Sequence, residues 1–87
     1  MIGSMDDHIR QILQEHGRVP SEVGTLSREA DLYEAGMTSH ASVNVMLALE
    51  DSFDVEFPDR MLTRNAFASI AAISAALAEL QSEAAVP

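Results

Sequence analysis

The apolar residues of this 87-residue chain recur at three- and four-residue intervals in three separate stretches, and no segment shows sustained alternation with polar residues in steps of two. That pattern restricts the chain to helices packed through one face, because strands need the alternation that is missing and no Asn-Gly or Asp-Gly pair marks a hairpin. In the first stretch Ile9, Ile12, Leu13 and His16 fall at i, i+3, i+4 and i+7. Ser4, with Asp7 three residues on, reads as its N-cap, the helix should begin near Met5, and Gly17 should end it. The second stretch opens at Thr38-Ser39 and runs through Val43, Val45, Met46, Leu47, Leu49 and Phe53, with Pro58 as its stop signal. Two stripes run along it. Val45, Leu49 and Phe53, with Met46 beside them, read as core, whereas His40, Val43 and Leu47 lie on a different face that a partner could use. From periodicity alone, a wholly buried helix accounts for these residues equally well.

The connections follow from what the stripes leave over. From Gly17 to Gly36 the isolated apolar residues Val19, Val23, Leu26, Leu32 and Tyr33 predict a long packed loop, with a short helical turn inside Pro20 to Thr25. Asp59 to Arg64 should form a brief turn that points Met61 and Leu62 inward, after which Phe67 enters the last segment. Ser69 then caps a third helix whose Ile70, Ile73, Leu77 and Leu80 line one face of an Ala-rich stretch ending near Gln81, with Ser82 to Pro87 frayed. The expected fold is all-α: a small antiparallel bundle of three main helices plus one or two short ones, in one domain over residues 1–87 with its core at about 5–81.

Composition narrows the function. A chain of this size buries only about 60% of its unfolded surface, so a deep active-site cleft is not expected and function should sit at the surface. Fourteen acidic residues against five arginines and no lysine give a formal charge of −9, and the arginines are scattered at 10, 18, 28, 60 and 64. Nucleic acid needs a basic stripe, so it is excluded as a partner; basic protein surfaces are the natural complement. The hydrophobic content of 47% argues against disorder as the reason for the acidity. Without cysteine there is no disulfide, thiolate metal site or cysteine nucleophile, and any thiol must come from a cofactor. No basic leader and no apolar run of about eighteen residues is visible, so a cytoplasmic monomer that does not enter membranes is expected.

Candidate chemistry is sparse. Ser39 and His40 are adjacent, but neighbouring helical side chains point about 100° apart, which rules out a hydrolytic dyad. Around Asp51 to Glu56 the calcium-loop pattern fails, since Phe53 and Val55 occupy positions that need oxygen ligands, and the histidines at 8, 16 and 40 are too far apart for zinc. What remains is Gly36-Met37-Thr38-Ser39 at a helix start. Either hydroxyl there can be a plain N-cap. A serine hydroxyl beside a flexible glycine, facing free backbone N–H groups at the positive end of the helix, is also well placed to carry a phosphate ester. Residue type alone favours the cap.

Asp31-Leu32 to Gly36, Ser39, Val43 to Glu50, Phe53-Asp54 and Phe57-Pro58-Asp59 together resemble the acyl carrier protein family. The specific match is residues 31 to 59, and the outer helices match by length and apolar pattern. The resemblance implies that Ser39, flanked by Gly36 and Thr38, carries 4′-phosphopantetheine delivered from coenzyme A by a phosphopantetheinyl transferase. The arm's thiol would hold an acyl or aminoacyl group as a thioester. It further implies an acyl- or amino-acid-activating ligase with a basic docking surface and downstream acyl-transfer enzymes. The candidate contacts for these partners are His40, Val43, Leu47, Glu50, Asp51 and Asp54. Such a chain would have no catalysis of its own. The family usually has Asp before the serine and Leu after it, where this chain has Thr38 and His40, and common acids further along become Ala41 and Asn44. These departures point away from housekeeping fatty-acid synthesis and toward a specialised carrier with its own ligase, for which His40 would signal identity. A small or polar cargo is slightly favoured. The alternative from another class is an unmodified acidic helical adaptor that docks a protein partner through the second helix.

Overall fold

The computed structural model describes residues 5–17 and 26–84. The expected Ser4 cap, Val19, Val23 and the turn within Pro20 to Thr25 lie outside these residues. Among the described residues there are three helices, α1 (Met5–His16), α2 (Ser39–Phe53) and α3 (Ile70–Ala84), and two 3₁₀ turns between α2 and α3, Asp59–Met61 and Asn65–Phe67. Helix α1 packs against both α2 and α3.

The apolar stripes account for the core. Ile9, Ile12 and Leu13 of α1, Ala41, Val45 and Leu49 of α2, and Ile70, Ile73, Leu77 and Leu80 of α3 are buried, with Leu32, Met37, Phe57, Met61 and Phe67 from the connections between them. His16, placed in the first stripe by spacing, is exposed instead, because it is the last residue of α1 and the chain turns at once. Gly17 donates its N–H to Leu13 O at 2.8 Å, and a Cβ on residue 17 would also stand 2.8 Å from that oxygen, a clash that glycine avoids. Phe53 is half-buried rather than in the core, and its ring lies tilted at 40° against that of His8 with centroids 4.7 Å apart.

Two further expectations are corrected. Leu62 does not point inward and is 47% exposed: Met61 closes the 3₁₀ turn with its side chain in the core, and one residue later the chain has left that turn facing solvent. Helix α3 continues to Ala84 rather than fraying from Ser82, since Ala, Glu and Gln in its last turns carry little helical penalty. Its start is as expected, with Ser69 Oγ accepting from Ala72 N at 3.0 Å.

The segment from Leu26 to Met37 is fastened on both sides. Arg10 donates to Leu26 O at 2.7 Å, Arg28 forms a two-pronged contact with Asp6 at 2.8 and 3.3 Å, and Ala71 N donates to Arg28 O at 2.8 Å. Leu32 N reaches Ala68 O at 2.7 Å. These bonds hold the segment ahead of α2 against the rest of the bundle, and so they fix where α2 begins.

Candidate functional site

Ser39 owes its position to two consecutive devices. In the first, Asp31 Oδ1 accepts from the N–H groups of Tyr33 and Glu34 at 2.8 and 3.2 Å and starts a single turn. That turn closes with Gly36 N to Tyr33 O at 3.1 Å and Met37 N to Leu32 O at 3.0 Å, the paired bonds of a Schellman motif. Gly36 has φ 121°, backbone that L side chains rarely adopt, and the flanking Leu32 and Met37 are buried together. The chain leaves this turn extended.

The second device is the cap. Thr38, at φ −84° and ψ 163°, is the N-cap of α2, and its Oγ1 accepts from Ala41 N at 3.0 Å. Of the two hydroxyls that could have capped the helix, Thr38 takes the task. Ser39 is therefore the first helical residue, exposed, and its Oγ has no hydrogen bond among the described residues. The first turn of α2 contains no acidic side chain, so a negative group on Ser39 would meet the positive end of the helix without a competing carboxylate. This arrangement fits a phosphate ester.

Beside Ser39 lies an open, mainly apolar groove of about 390 Å³, formed between α2 and the segment around residues 62–67. Ser42, Val43 and Met46 contribute from α2, Leu62, Thr63, Arg64 and Phe67 from the opposite side, and Tyr33 from the turn. The size of the chain predicts no deep cleft, and this groove is accordingly open at the surface. Met46, expected in the core, is half-buried on this wall. The groove leaves no signal in any one stretch of sequence, because three separate segments make it.

The other candidate residues are distributed along α2. His40, Val43 and Leu47 are exposed, the last two at 50% and 54%, so the second stripe is a surface stripe. Asp51 is exposed on the side toward α1, on the wall of a second groove shared with His8, Glu15 and His16. Glu50 is half-buried and already engaged: its Oε2 accepts from Phe57 N at 2.8 Å. Its backbone oxygen accepts from both Asp54 N and Val55 N, and Asp54 sits in the left-handed region at φ 54°. Glu50 and Asp54 thus terminate α2, four residues before Pro58. Ala41 is 1% exposed, so its difference from the family pattern removes no charge from the surface; position 41 faces the core. Asn44 is half-buried.

Comparison with known proteins agrees with this geometry. The family model for the phosphopantetheine attachment site matches residues 7–77. The chain is 54% identical over 69 residues to the aminoacyl carrier protein of Agrobacterium fabrum, covering 79% of this chain and 83% of that one. It is also similar to a chain in a crystal structure of engineered Bradyrhizobium japonicum glycine:[carrier protein] ligase complexed with carrier protein from Agrobacterium tumefaciens and AMP. There the TM-score is 0.82 and the identity 50%, over 85% of this chain and 99% of that one. A solution structure from Agrobacterium tumefaciens matches at TM-score 0.72 and 48% identity, over 93% of this chain and 100% of that one. The likeness carried by residues 31 to 59 therefore extends through the outer helices, and the chain belongs to the phosphopantetheine-attachment family.

Proposed function

We propose that this chain is a stand-alone aminoacyl carrier whose attachment residue is Ser39. The observation that carries the reading is the division of labour at the start of α2, where Thr38 caps the helix and Ser39 is exposed, its hydroxyl without a hydrogen bond among the described residues. When bound, the phosphopantetheine arm supplies a thiol, which this cysteine-free chain lacks, and holds the cargo as a thioester. The chain's own residues do the positioning. Gly36 and the turn before it set the direction from which the backbone enters α2, Thr38 holds the first turn, and the groove beside Ser39 offers the arm a surface.

Aminoacyl cargo is preferred to fatty-acyl cargo because of the 54% identity to an aminoacyl carrier protein and the likeness to a carrier seen with a glycine:[carrier protein] ligase. The partners are a phosphopantetheinyl transferase, an amino-acid-activating ligase, and enzymes that accept the aminoacyl group. His40, Val43 and Leu47 present the stripe on which these partners dock, with Asp51 at its edge and Asp54 at its end. Glu50 contributes by holding the end of α2 in place. The chain itself performs no catalysis. Weak, salt-sensitive contacts suit this role, since a carrier must leave one enzyme before it meets the next.

Intact mass after incubation with coenzyme A, magnesium and a broad-specificity phosphopantetheinyl transferase tests the attachment. A gain of one phosphopantetheine is expected, and none in Ser39→Ala. No gain on folded protein with several transferases would overturn the reading and favour the unmodified adaptor. His40→Leu should slow loading by the ligase, and unchanged loading would remove His40 from the docking surface.

A further inference from the structure

Four of the five arginines lie among the described residues, and three of them are committed to oxygen partners. Arg28 pairs with Asp6, Arg60 with Glu79 at 3.2 Å, and Arg10 donates to Leu26 O. Arg64 differs. Its guanidinium carbon lies 4.0 Å from the centroid of the Tyr33 ring, and it pairs with no carboxylate among the described residues. Arg64, Tyr33 and Ser39 line the same groove. In a chain of net charge −9, a cation with no acidic partner among the described residues lines the same groove as the hydroxyl that fits a phosphate ester.

An arginine resting on an aromatic ring through its face keeps its in-plane N–H donors for an anion, and the fork of those donors matches two oxygens of a phosphate. The ring limits the freedom of the long side chain in advance, so less entropy is lost when the anion is bound. We propose that Arg64, shelved on Tyr33, binds the phosphodiester that would join the arm to Ser39 and so directs the arm along the groove. Arg64 is then a positioning residue, and the pair is a subsite for a phosphodiester that acts together with the positive end of α2. The inference rests on the carrier reading above.

The test uses the phosphopantetheinylated protein, with its modification read first by intact mass, and compares wild type with Arg64→Gln and Arg64→Lys. Phosphorus NMR reads the diester, and the Arg64 Nε–H resonance reads the arginine in unmodified and modified wild type. The Arg64 resonance is expected to move on modification. The wild-type phosphorus signal should lie apart from that of phosphopantetheine on a short serine peptide, shift toward it in Arg64→Gln, and fall between them in Arg64→Lys. High salt should move the wild-type signal the same way and leave Arg64→Gln unchanged. If modification succeeds while the phosphorus signal is the same in all three proteins and the Arg64 resonance stays in place, the subsite is overturned and the carrier reading stands. If no modification occurs on folded protein, both fall. The wild-type comparison of modified and unmodified protein needs no substitution, so it decides the matter even if a variant folds poorly.

Discussion

On the proposed reading, Thr38 and Ser39 divide two tasks, capping and attachment, between two hydroxyls. An N-cap oxygen is occupied by a backbone N–H, whereas an attachment oxygen must be open to an incoming enzyme. Thr38→Ala should therefore cost about 1 kcal/mol in denaturant unfolding while leaving Ser39 open to modification. Ser39→Ala should do the reverse, staying within about 0.5 kcal/mol of wild type and abolishing modification. A comparable stability loss in both variants would mean that the cap is shared. Gly36 is the other residue whose identity is dictated locally. With φ at 121°, Gly36→Ala should destabilise the fold by about 1–2 kcal/mol through backbone strain at an exposed position, measurable as a lowered denaturant midpoint. The sequence alone left the cap open between the two hydroxyls, since both residue types are good caps and their dihedral angles are set by the preceding turn.

At the scale of elements, the three helices were legible because each repeats its apolar spacing over several turns, as Ile70, Ile73, Leu77 and Leu80 do in α3. The Leu32–Met37 turn and the two 3₁₀ turns of the described residues are too short for periodicity to act, so spacing neither places Leu62 nor distinguishes the single turn that ends at Gly36 from loop. The termination of α2 at Asp54 was hidden for a different reason: it depends on a left-handed aspartate and on a Glu50 side chain reaching seven residues ahead. The fastening of residues 26–32 gives a pH-dependent prediction. The Arg28 guanidinium, by hydrogen bonding to Asp6, holds that carboxyl below its ordinary value, outweighing the partial burial that pushes it up. A carboxyl that is more acidic in the folded than in the unfolded chain lends stability above its unfolded pKa, about 3.9, and loses it as pH falls through the lowered folded value. Asp6→Asn should therefore lower the Tm at neutral pH, and the gap to wild type should close in acid. A gap that persists unchanged at the acid end would show that the pair contributes through shape alone.

The whole molecule combines a small bundle, a strongly acidic composition and an exposed stripe along α2, and on the proposed reading this combination governs how it meets its partners. With a charge of −9, encounters with a basic ligase surface should slow steeply as salt rises, while an encounter dominated by Val43 and Leu47 would be nearly salt-independent; stopped-flow association rates across ionic strength separate the two. Sequence could indicate the acidity and the stripe, since both are properties of residue type and spacing. The groove could not be read in this way, because Tyr33, Ser39 and Arg64 come together only when the turn, α2 and the segment after the first 3₁₀ turn have packed. The most direct measurement of the account is loading itself. Phosphopantetheinylated protein should be incubated with ATP and either a glycine:[carrier protein] ligase with glycine or a fatty-acyl-activating ligase with a long-chain acid, and then weighed intact before and after hydroxylamine. The account predicts a gain of one glycyl group (glycine less water), released by hydroxylamine, absent from Ser39→Ala, and little or no fatty-acyl addition. Efficient fatty-acyl loading with no amino-acid loading by any ligase of the glycine type would contradict it.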